Sequence, residues 1–214
     1  IHCHRKINKS FSQGYCYPCF KSLPQCDLCI MSPEKCHYQA GTCRDDRWAN
    51  EFCMQDHYVY LANSSALKVG ITRGTQIPTR WIDQGAIQAL PIFRVKQRRY
   101  AGLVEVLFKK HMDDKTNWRA MLKGNPELLN LSAIIAKTLP EVAKEISALQ
   151  SEYGIDAVQF CDQAETVEIQ FPVLEFPSKV TSFNFDKTPQ INGRLMGIKG
   201  QYLLFDTGVL NLRK

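Results

Sequence analysis

The hydrophobic pattern changes near residue 57, from a polar, cysteine-rich segment to a regular alternation of apolar and polar positions. Residues 58–62 and 67–72 alternate as two β-strands, and the polar residues 63–65 between them suit a turn. Together they predict a β-hairpin, because a period of two places every second side chain on one face of a sheet. A further apolar run over residues 90–95 predicts a third strand.

Apolar residues at helical spacing predict three helices. Pro78 suits the first turn of a helix that continues through residues 80–84 and stops near Gly85. A second helix is predicted from about residue 100 to residue 111. A third begins at Pro140 and continues to residue 153, with apolar side chains along one face.

The C-terminal part of the chain is predicted to form a small β-structure. Short apolar runs indicate strands around residues 166–171, 194–198, 201–205 and 209–212. Glycines between these runs indicate tight turns.

Cysteines separate the first part of the chain from the rest. Two Cys-x-x-Cys pairs each place two thiolates on one tight turn, and tetrahedral zinc needs two such contributions. With few apolar residues of its own, this head is expected to need metal to fold. We predict a head with one or two structural zinc ions. Its candidate ligands are Cys3, Cys16, Cys19, Cys26, Cys29, Cys36, Cys43 and Cys53.

Other uses of these cysteines, and their allocation, stay open at this point. A disulfide framework needs an oxidising compartment, whereas four-cysteine iron–sulfur sites have spacings similar to those of zinc sites. Eight thiols suffice for two sites. A ligand before Ile1 would join Cys3, Cys16 and Cys19 and leave five cysteines for the second site. Reserve ligands are His2, His4 and His37.

The charge distribution indicates a phosphate-rich partner. The net charge is +6, and residues 68–123 contain twelve Lys or Arg against four Asp or Glu. Such a segment suits DNA or RNA, because each cation that meets a phosphate releases counterions. The candidate nucleic-acid-binding residues are Arg73, Arg94, Lys96, Arg98 and Arg99.

Membrane insertion and export are not expected. No stretch approaches the roughly eighteen apolar residues that cross a bilayer, and the first residues lack the apolar segment of a signal peptide. We therefore expect a cytoplasmic protein with no membrane partner.

The order strand, strand, helix, strand, helix resembles the core of the GIY-YIG nuclease superfamily. Tyr58-Val59-Tyr60 stands at the first motif and Lys68-Val69-Gly70 at the second. Arg80 stands at the position of the helix arginine and Glu105 at that of the metal-binding glutamate. The resemblance covers about residues 57–125.

This resemblance implies cleavage of phosphodiester bonds. It gives Tyr60 to the attacking water, Arg80 to the phosphate and Glu105 to a magnesium or manganese ion. Lys68 departs from the motif, which usually has a second tyrosine there, so the general base stays open among Tyr60, Tyr58, His57 and Lys68. The alternative is a non-catalytic zinc adaptor that binds nucleic acid or protein on a degenerate nuclease fold.

The whole chain resembles an uncharacterised bacterial family with a cysteine-rich head, such a core and a strand-rich tail containing Gly-Ile-Lys-Gly-Gln-Tyr, here residues 197–202. We predict an α+β fold with a zinc-ribbon-like or treble-clef-like head, a GIY-YIG-like mixed α/β core and a small β-rich tail. The predicted boundaries are head 1–55, core 56–125, helical segment 126–164 and β-rich domain 165–214.

Overall fold

The computed structural model describes residues 1–11, 14–185 and 189–213. The α-helices are α1 Tyr17–Ser22, α2 Leu28–Met31, α3 Asp46–Phe52, α4 Thr79–Asp83, α5 Arg98–Phe108, α6 Trp118–Met121 and α7 Leu131–Tyr153. The strands are β1 His57–Asn63, β2 Leu67–Arg73, β3 Gln88–Val95, β4 Val158–Phe160, β5 Val167–Glu168, β6 Leu195–Lys199, β7 Tyr202–Phe205 and β8 Gly208–Asn211. Single 3₁₀ turns span Pro24–Cys26, Pro33–Lys35, Tyr38–Ala40, Gly74–Gln76 and Ile155–Ala157.

The central sheet confirms the predicted hairpin and third strand. Its strand order is β2-β1-β3-β4, with β5 also pairing with β3, and all of these pairs are antiparallel. Strand β1 pairs on both sides, and its Tyr60 lies opposite Gly70 of β2. The sheet therefore places the two motif strands side by side.

The two faces of this sheet bury different elements. Val59 and Leu61 point to the face that packs against α5 and α7 and contains the larger apolar core. Tyr60 and Ala62 point to the opposite face, where they meet Trp81 of α4. This division follows from the alternation of side chains along an extended strand.

Helix α7 begins nine residues earlier than the sequence indicated. It starts at Leu131, and the Asn130 side chain caps it by accepting a hydrogen bond from the Ala133 N–H. Pro140 lies inside the helix. The prediction of a start at Pro140 was wrong because a buried stripe continues through the proline, from Ile135 to Val142. Pro140 is exposed, so the carbonyl that it leaves without an N–H partner lies on the solvent side.

The head is built from short helical turns. Three α-helices and three 3₁₀ turns frame its cysteines, and the described residues up to 56 contain no named strand. Asp45 caps α3 by accepting the Trp48 N–H at 2.9 Å.

The head packs directly on α5. The side chain of Arg98, at the start of α5, donates to the Ile30 carbonyl oxygen at 2.9 Å, and its backbone N–H donates to the Cys53 carbonyl oxygen at 2.9 Å. A Cβ atom at Gly102 would lie 2.6 Å from the Glu34 nitrogen and 2.7 Å from the Pro33 Cβ. Only a glycine permits this close approach between head and helix.

The C-terminal strands are largely as predicted. Strands β6, β7 and β8 form a three-stranded antiparallel sheet, whereas the strand expected over residues 166–171 is reduced to β5. The sheet buries Tyr202, Leu204 and Val209 against Met121 and Leu122. The sheet thereby lies over the segment that follows α5.

None of the helices in the described part of the chain combines the length and the hydrophobicity that a membrane span requires.

We expect Gly102→Ala to destabilise the protein by about 1–3 kcal/mol, because the added methyl group would overpack the backbone of Pro33 and Glu34. In an open helix the same change would stabilise by about 0.5–1 kcal/mol. The sign of the change in the free energy of unfolding, measured by denaturant titration, therefore reports whether the head packs on α5.

The matched control is Gly124→Ala, where an added Cβ would meet nothing within 4 Å. Its free energy of unfolding should stay within about 0.5 kcal/mol of the parent value. A stabilised Gly102→Ala variant would contradict the described contact between head and helix.

Candidate functional site

A cavity of about 320 Å³ lies between the Tyr60 face of the central sheet and the C-terminal sheet. The strands and helix of the core, the segment after α5 and the tail each contribute to its walls. Residues that line it include Lys68, Arg80, Gln84, Asp114, Thr116 and Trp118.

Lys68 forms the floor of this cavity. Its side chain is directed to the same face as Tyr60, and the residue is only 3% exposed. Its Nζ donates to Gln84 Oε1 and to Thr116 Oγ1, both at 2.6 Å. Burial, together with the nearby charge of Arg80, lowers the pKa of Lys68 to about 8. A substantial neutral fraction therefore exists in mildly alkaline solution.

Tyr60 lies behind Lys68 and is fully buried. Its hydroxyl donates to the same Gln84 Oε1 at 3.1 Å. A Cβ atom at Gly70 would lie 2.8 Å from this hydroxyl, which accounts for the glycine in the second motif. Burial raises the pKa of Tyr60 to about 12, so the phenol stays protonated in neutral solution.

Arg80 is exposed in α4 and lines the cavity. Its positive charge, and a hydrogen bond from it to the phenol oxygen, counteract the effect of burial on the pKa of Tyr60. The structure therefore brings Tyr60, Lys68 and Arg80 together.

Glu105 lies apart from that group. It is 8% exposed on α5, and Lys109 Nζ lies 3.2 Å from its Oε2 and 3.1 Å from Asp114 Oδ2. Burial raises the pKa of Glu105, against the effect of Lys109. Its charge acts on Tyr60, but Asp114 and not Glu105 lines the cavity.

Asp114 and Thr116 owe their position to the edge of the sheet. The N–H of Val69 in β2 donates to the Asp113 carbonyl oxygen at 2.9 Å, so the segment after α5 lies along this strand. The roles of Gln84, Thr116 and Lys109 were not predicted from the sequence, because no local sequence pattern shows which side chains these residues contact.

The other two candidate bases lie elsewhere. Tyr58 lines a different surface depression, beside Gly74 and Pro91. His57 is fully buried, its Nδ1 lies 2.7 Å from the Gln55 carbonyl oxygen, and its Nε2 has no hydrogen-bond partner among the described residues. Burial lowers the pKa of His57 to about 4. Neither residue reaches the cavity.

Most of the candidate nucleic-acid-binding residues contact the protein itself. Arg98 is bonded to the head as described above, and Arg99 Nη1 donates to Gln39 Oε1 at 2.7 Å. Arg94 pairs with Asp56, and Arg73 lies over the Phe52 ring. Lys96 is exposed. None of the five lines the cavity, so the basic run mainly joins elements of the fold.

Three thiols meet at the start of the head. The Sγ atoms of Cys3, Cys16 and Cys19 lie within 4.8 Å of one another, and those of Cys3 and Cys16 are 3.5 Å apart. A backbone hydrogen bond near Arg5 and bonds from the two other thiols lower the pKa of Cys3 to about 7. This three-thiol cluster could hold a metal ion.

Four further thiols line one small cavity of about 20 Å³, and we refer to them as the four-thiol cluster. The thiols of Cys29 and Cys36 share a hydrogen bond, which lowers the pKa of Cys36 to about 6. Cys26 belongs to neither cluster. The four-thiol cluster consists of Cys29, Cys36, Cys43 and Cys53.

Asp27 and His37 lie beside this cluster. The ligand atoms of Asp27, Cys29 and His37 lie within 4.8 Å of one another. Asp27 is also paired with Arg44, whose Nε lies 2.7 Å from Asp27 Oδ2. His37 Nε2 lies 3.4 Å from the other oxygen, Asp27 Oδ1, so both carboxylate oxygens already have partners.

Comparison with known families gives one result. The family model described as Protein of unknown function (DUF2797) matches residues 1–214. Comparisons with curated proteins and with solved structures gave no significant match. Because the match covers every residue and agrees with the predicted membership of an uncharacterised family, the chain belongs to the DUF2797 family.

Proposed function

We propose that this chain is a metal-dependent nuclease of GIY-YIG type that cleaves a phosphodiester bond of DNA or RNA, with a zinc-binding head. The observation that carries the proposal is that Lys68, Arg80 and Gln84 line one cavity, while Gln84 Oε1 accepts hydrogen bonds from both Lys68 and the buried Tyr60 hydroxyl. A depressed lysine pKa beside an exposed arginine suits phosphate chemistry, because proton acceptance and charge stabilisation are then available at one place.

Each of these groups has a separate task in the proposed reaction. Arg80 binds a phosphate oxygen and offsets the charge that develops on it. The neutral form of Lys68 accepts the proton of the attacking water. Tyr60 is buried, so it acts as a positioning residue by holding Gln84, which in turn orients Lys68.

Glu105 is the residue proposed to hold magnesium or manganese. A carboxylate oxygen suits either ion, and Lys109 already places a positive charge 3.2 Å from it. A divalent ion held by Glu105 would compete with this ammonium group. When bound, such an ion supplies positive charge to the leaving oxygen.

A second candidate function is a non-catalytic zinc adaptor. The observation that favours it is the ion pair of Glu105 with Lys109, outside the cavity. Under that function the cavity would bind a ligand and release it unchanged.

We further propose that the three-thiol and four-thiol clusters each hold one zinc ion. Thiolates in excess of carboxylates suit a structural site. In each cluster one thiol, Cys3 or Cys36, has a lowered pKa and forms a thiolate readily, whereas its hydrogen-bonded neighbour, Cys19 or Cys29, has a raised pKa.

Elemental analysis of purified variants tests this allocation. Cys16→Ser should lose the ion of the three-thiol cluster, and Cys36→Ser that of the four-thiol cluster. Cys26→Ser is the matched control and should keep both ions, because Cys26 belongs to neither cluster. Loss of zinc from Cys26→Ser would overturn the allocation, and a wild-type protein without zinc would overturn the metal proposal itself.

Substitutions in the site test catalysis. Arg80→Ala and Glu105→Gln should each lower the rate of cleavage by about a hundredfold or more, because each removes a charge that stabilises the transition state. Branched, single-stranded and duplex substrates should be screened with magnesium and with manganese. Arg47→Ala, which removes an exposed cation from the head, should retain the parent rate. A wild-type protein that cuts none of these substrates with either metal ion would favour the adaptor function.

The pH dependence of cleavage identifies the base. If neutral Lys68 accepts the proton, the rate should rise with pH and level off above about pH 8, where Lys68 has lost its proton. Lys68→Arg should abolish activity, since a guanidinium stays charged. Tyr60, with a pKa of about 12, cannot produce an inflection there. A flat profile through this range would exclude Lys68 as the base.

A further inference from the structure

The tail forms a fixed wall of the cavity. Gln201 and Tyr202 belong to the turn and strand after β6, and Arg213 follows β8. A Cβ atom at Gly200 would lie 2.9 Å from the Asp83 carbonyl oxygen, so this turn rests against the end of α4. The C-terminal sheet and the core are thus in direct contact where they enclose the cavity.

The cations of the cavity occupy two levels. Lys68 lies at the floor with 3% exposure, whereas Arg80 is exposed and the Arg213 side chain is 63% exposed. The two acidic side chains that line the cavity are already paired, Asp83 with Arg213 at 3.2 Å and Asp114 with Lys109 at 3.1 Å. Among the described residues that line the cavity, Arg80 thus has no carboxylate partner, so the rim presents a cation that an anion can bind directly.

The pair of Arg213 and Asp83 is suited to exchange. An exposed ion pair contributes little to stability, and a guanidinium group binds a phosphate in the same two-pronged way as a carboxylate. A phosphate can therefore replace Asp83 as the partner of Arg213 without loss of a buried interaction.

The opposite wall is flat and aromatic. The rings of Trp118 and Tyr202 are parallel within 3°, with centroids 5.7 Å apart, and both residues line the cavity. Aromatic side chains beside cations are the usual means by which proteins hold an unpaired base and its backbone.

The size of the cavity limits the ligand. A volume of about 320 Å³ lies near the lower end of the range for pockets that hold one small molecule, about 300–1,000 Å³. A base pair within a duplex cannot enter such a pocket, and enzymes that receive a base in one take it out of the helix.

We infer that this cavity binds one unpaired nucleotide of a single strand, with its phosphate at Arg80 and Arg213 and its base beside Trp118 and Tyr202. The C-terminal sheet thereby becomes part of the binding site, and Arg213 becomes one of its phosphate-binding residues. For cleavage, though not for binding, the inference rests on the proposed function.

Binding without added divalent ions tests the inference. The probes are a fluorescein-labelled oligothymidine, its duplex with oligoadenosine, and thymidine monophosphate as a competitor. The wild-type protein should bind the single strand at least about tenfold more tightly than the duplex. Arg213→Ala should weaken binding of the single strand by about tenfold and reduce its salt slope by about one.

The matched control is Arg47→Ala, which removes an exposed cation from the head that does not line the cavity. It should retain single-strand affinity. Thermal unfolding of both variants establishes that they are folded. Thymidine monophosphate should displace the strand only weakly; equal affinity for the free nucleotide would overturn the assignment to a strand. Equal affinity for duplex, or equal effects of the two substitutions, would overturn the inference.

Cleavage assays on the same samples separate this inference from the proposed function. If duplex and single strand are cut equally and Arg213→Ala cuts normally, the nuclease proposal stands and the unpaired-nucleotide pocket is wrong. If the single strand binds through Arg213 but is not cut with magnesium or manganese, the pocket stands and the nuclease proposal is wrong.

Discussion

The buried ammonium group of Lys68 imposes the constraint around which the candidate site is organised. A charge with 3% exposure is costly unless its hydrogen bonds are satisfied. Lys68 obtains them from Gln84, at the end of α4, and from Thr116, in the segment along β2. Each hydrogen bond therefore connects a different part of the core to Lys68 Nζ. One of those parts is the end of α4, the helix that contains Arg80.

The same constraint reaches the tail. The segment that supplies Thr116 leads into α6, where Trp118 stacks on Tyr202 of β7. The end of α4 that supplies Gln84 also supports the turn at Gly200. Partners of one buried lysine thus lie next to both contacts that hold the C-terminal sheet over the cavity, which is why this sheet belongs to the site.

Helix α5 joins the head to the other side of the sheet. Arg98 spans the boundary with bonds to Ile30 and Cys53, and two turns later the same helix presents Glu105. The buried Arg98 side chain stabilises the fold only while the Ile30 carbonyl oxygen, to which it donates, stays in place. A metal ion in the four-thiol cluster, whose loop includes Cys53, would therefore also stabilise the position of α5.

The local helices and strands, and the residue types of the site, were predictable from the sequence alone. The alternation over 58–62 and 67–72, and the thiol spacing of the head, depend only on near neighbours in the chain, so they were readable. The proximity of Tyr60, Lys68 and Gly70 was predictable because they lie on two motif strands that pair with each other.

Which side chains are free to bind a ligand depends on tertiary contacts. Arg98 and Arg99 look like a basic surface in the sequence, but both donate hydrogen bonds to the head. Likewise, a buried stripe carries α7 through Pro140, where the sequence indicated that the helix starts. Gln84, Thr116 and Arg213 reach the cavity through contacts between distant segments, which no local pattern encodes.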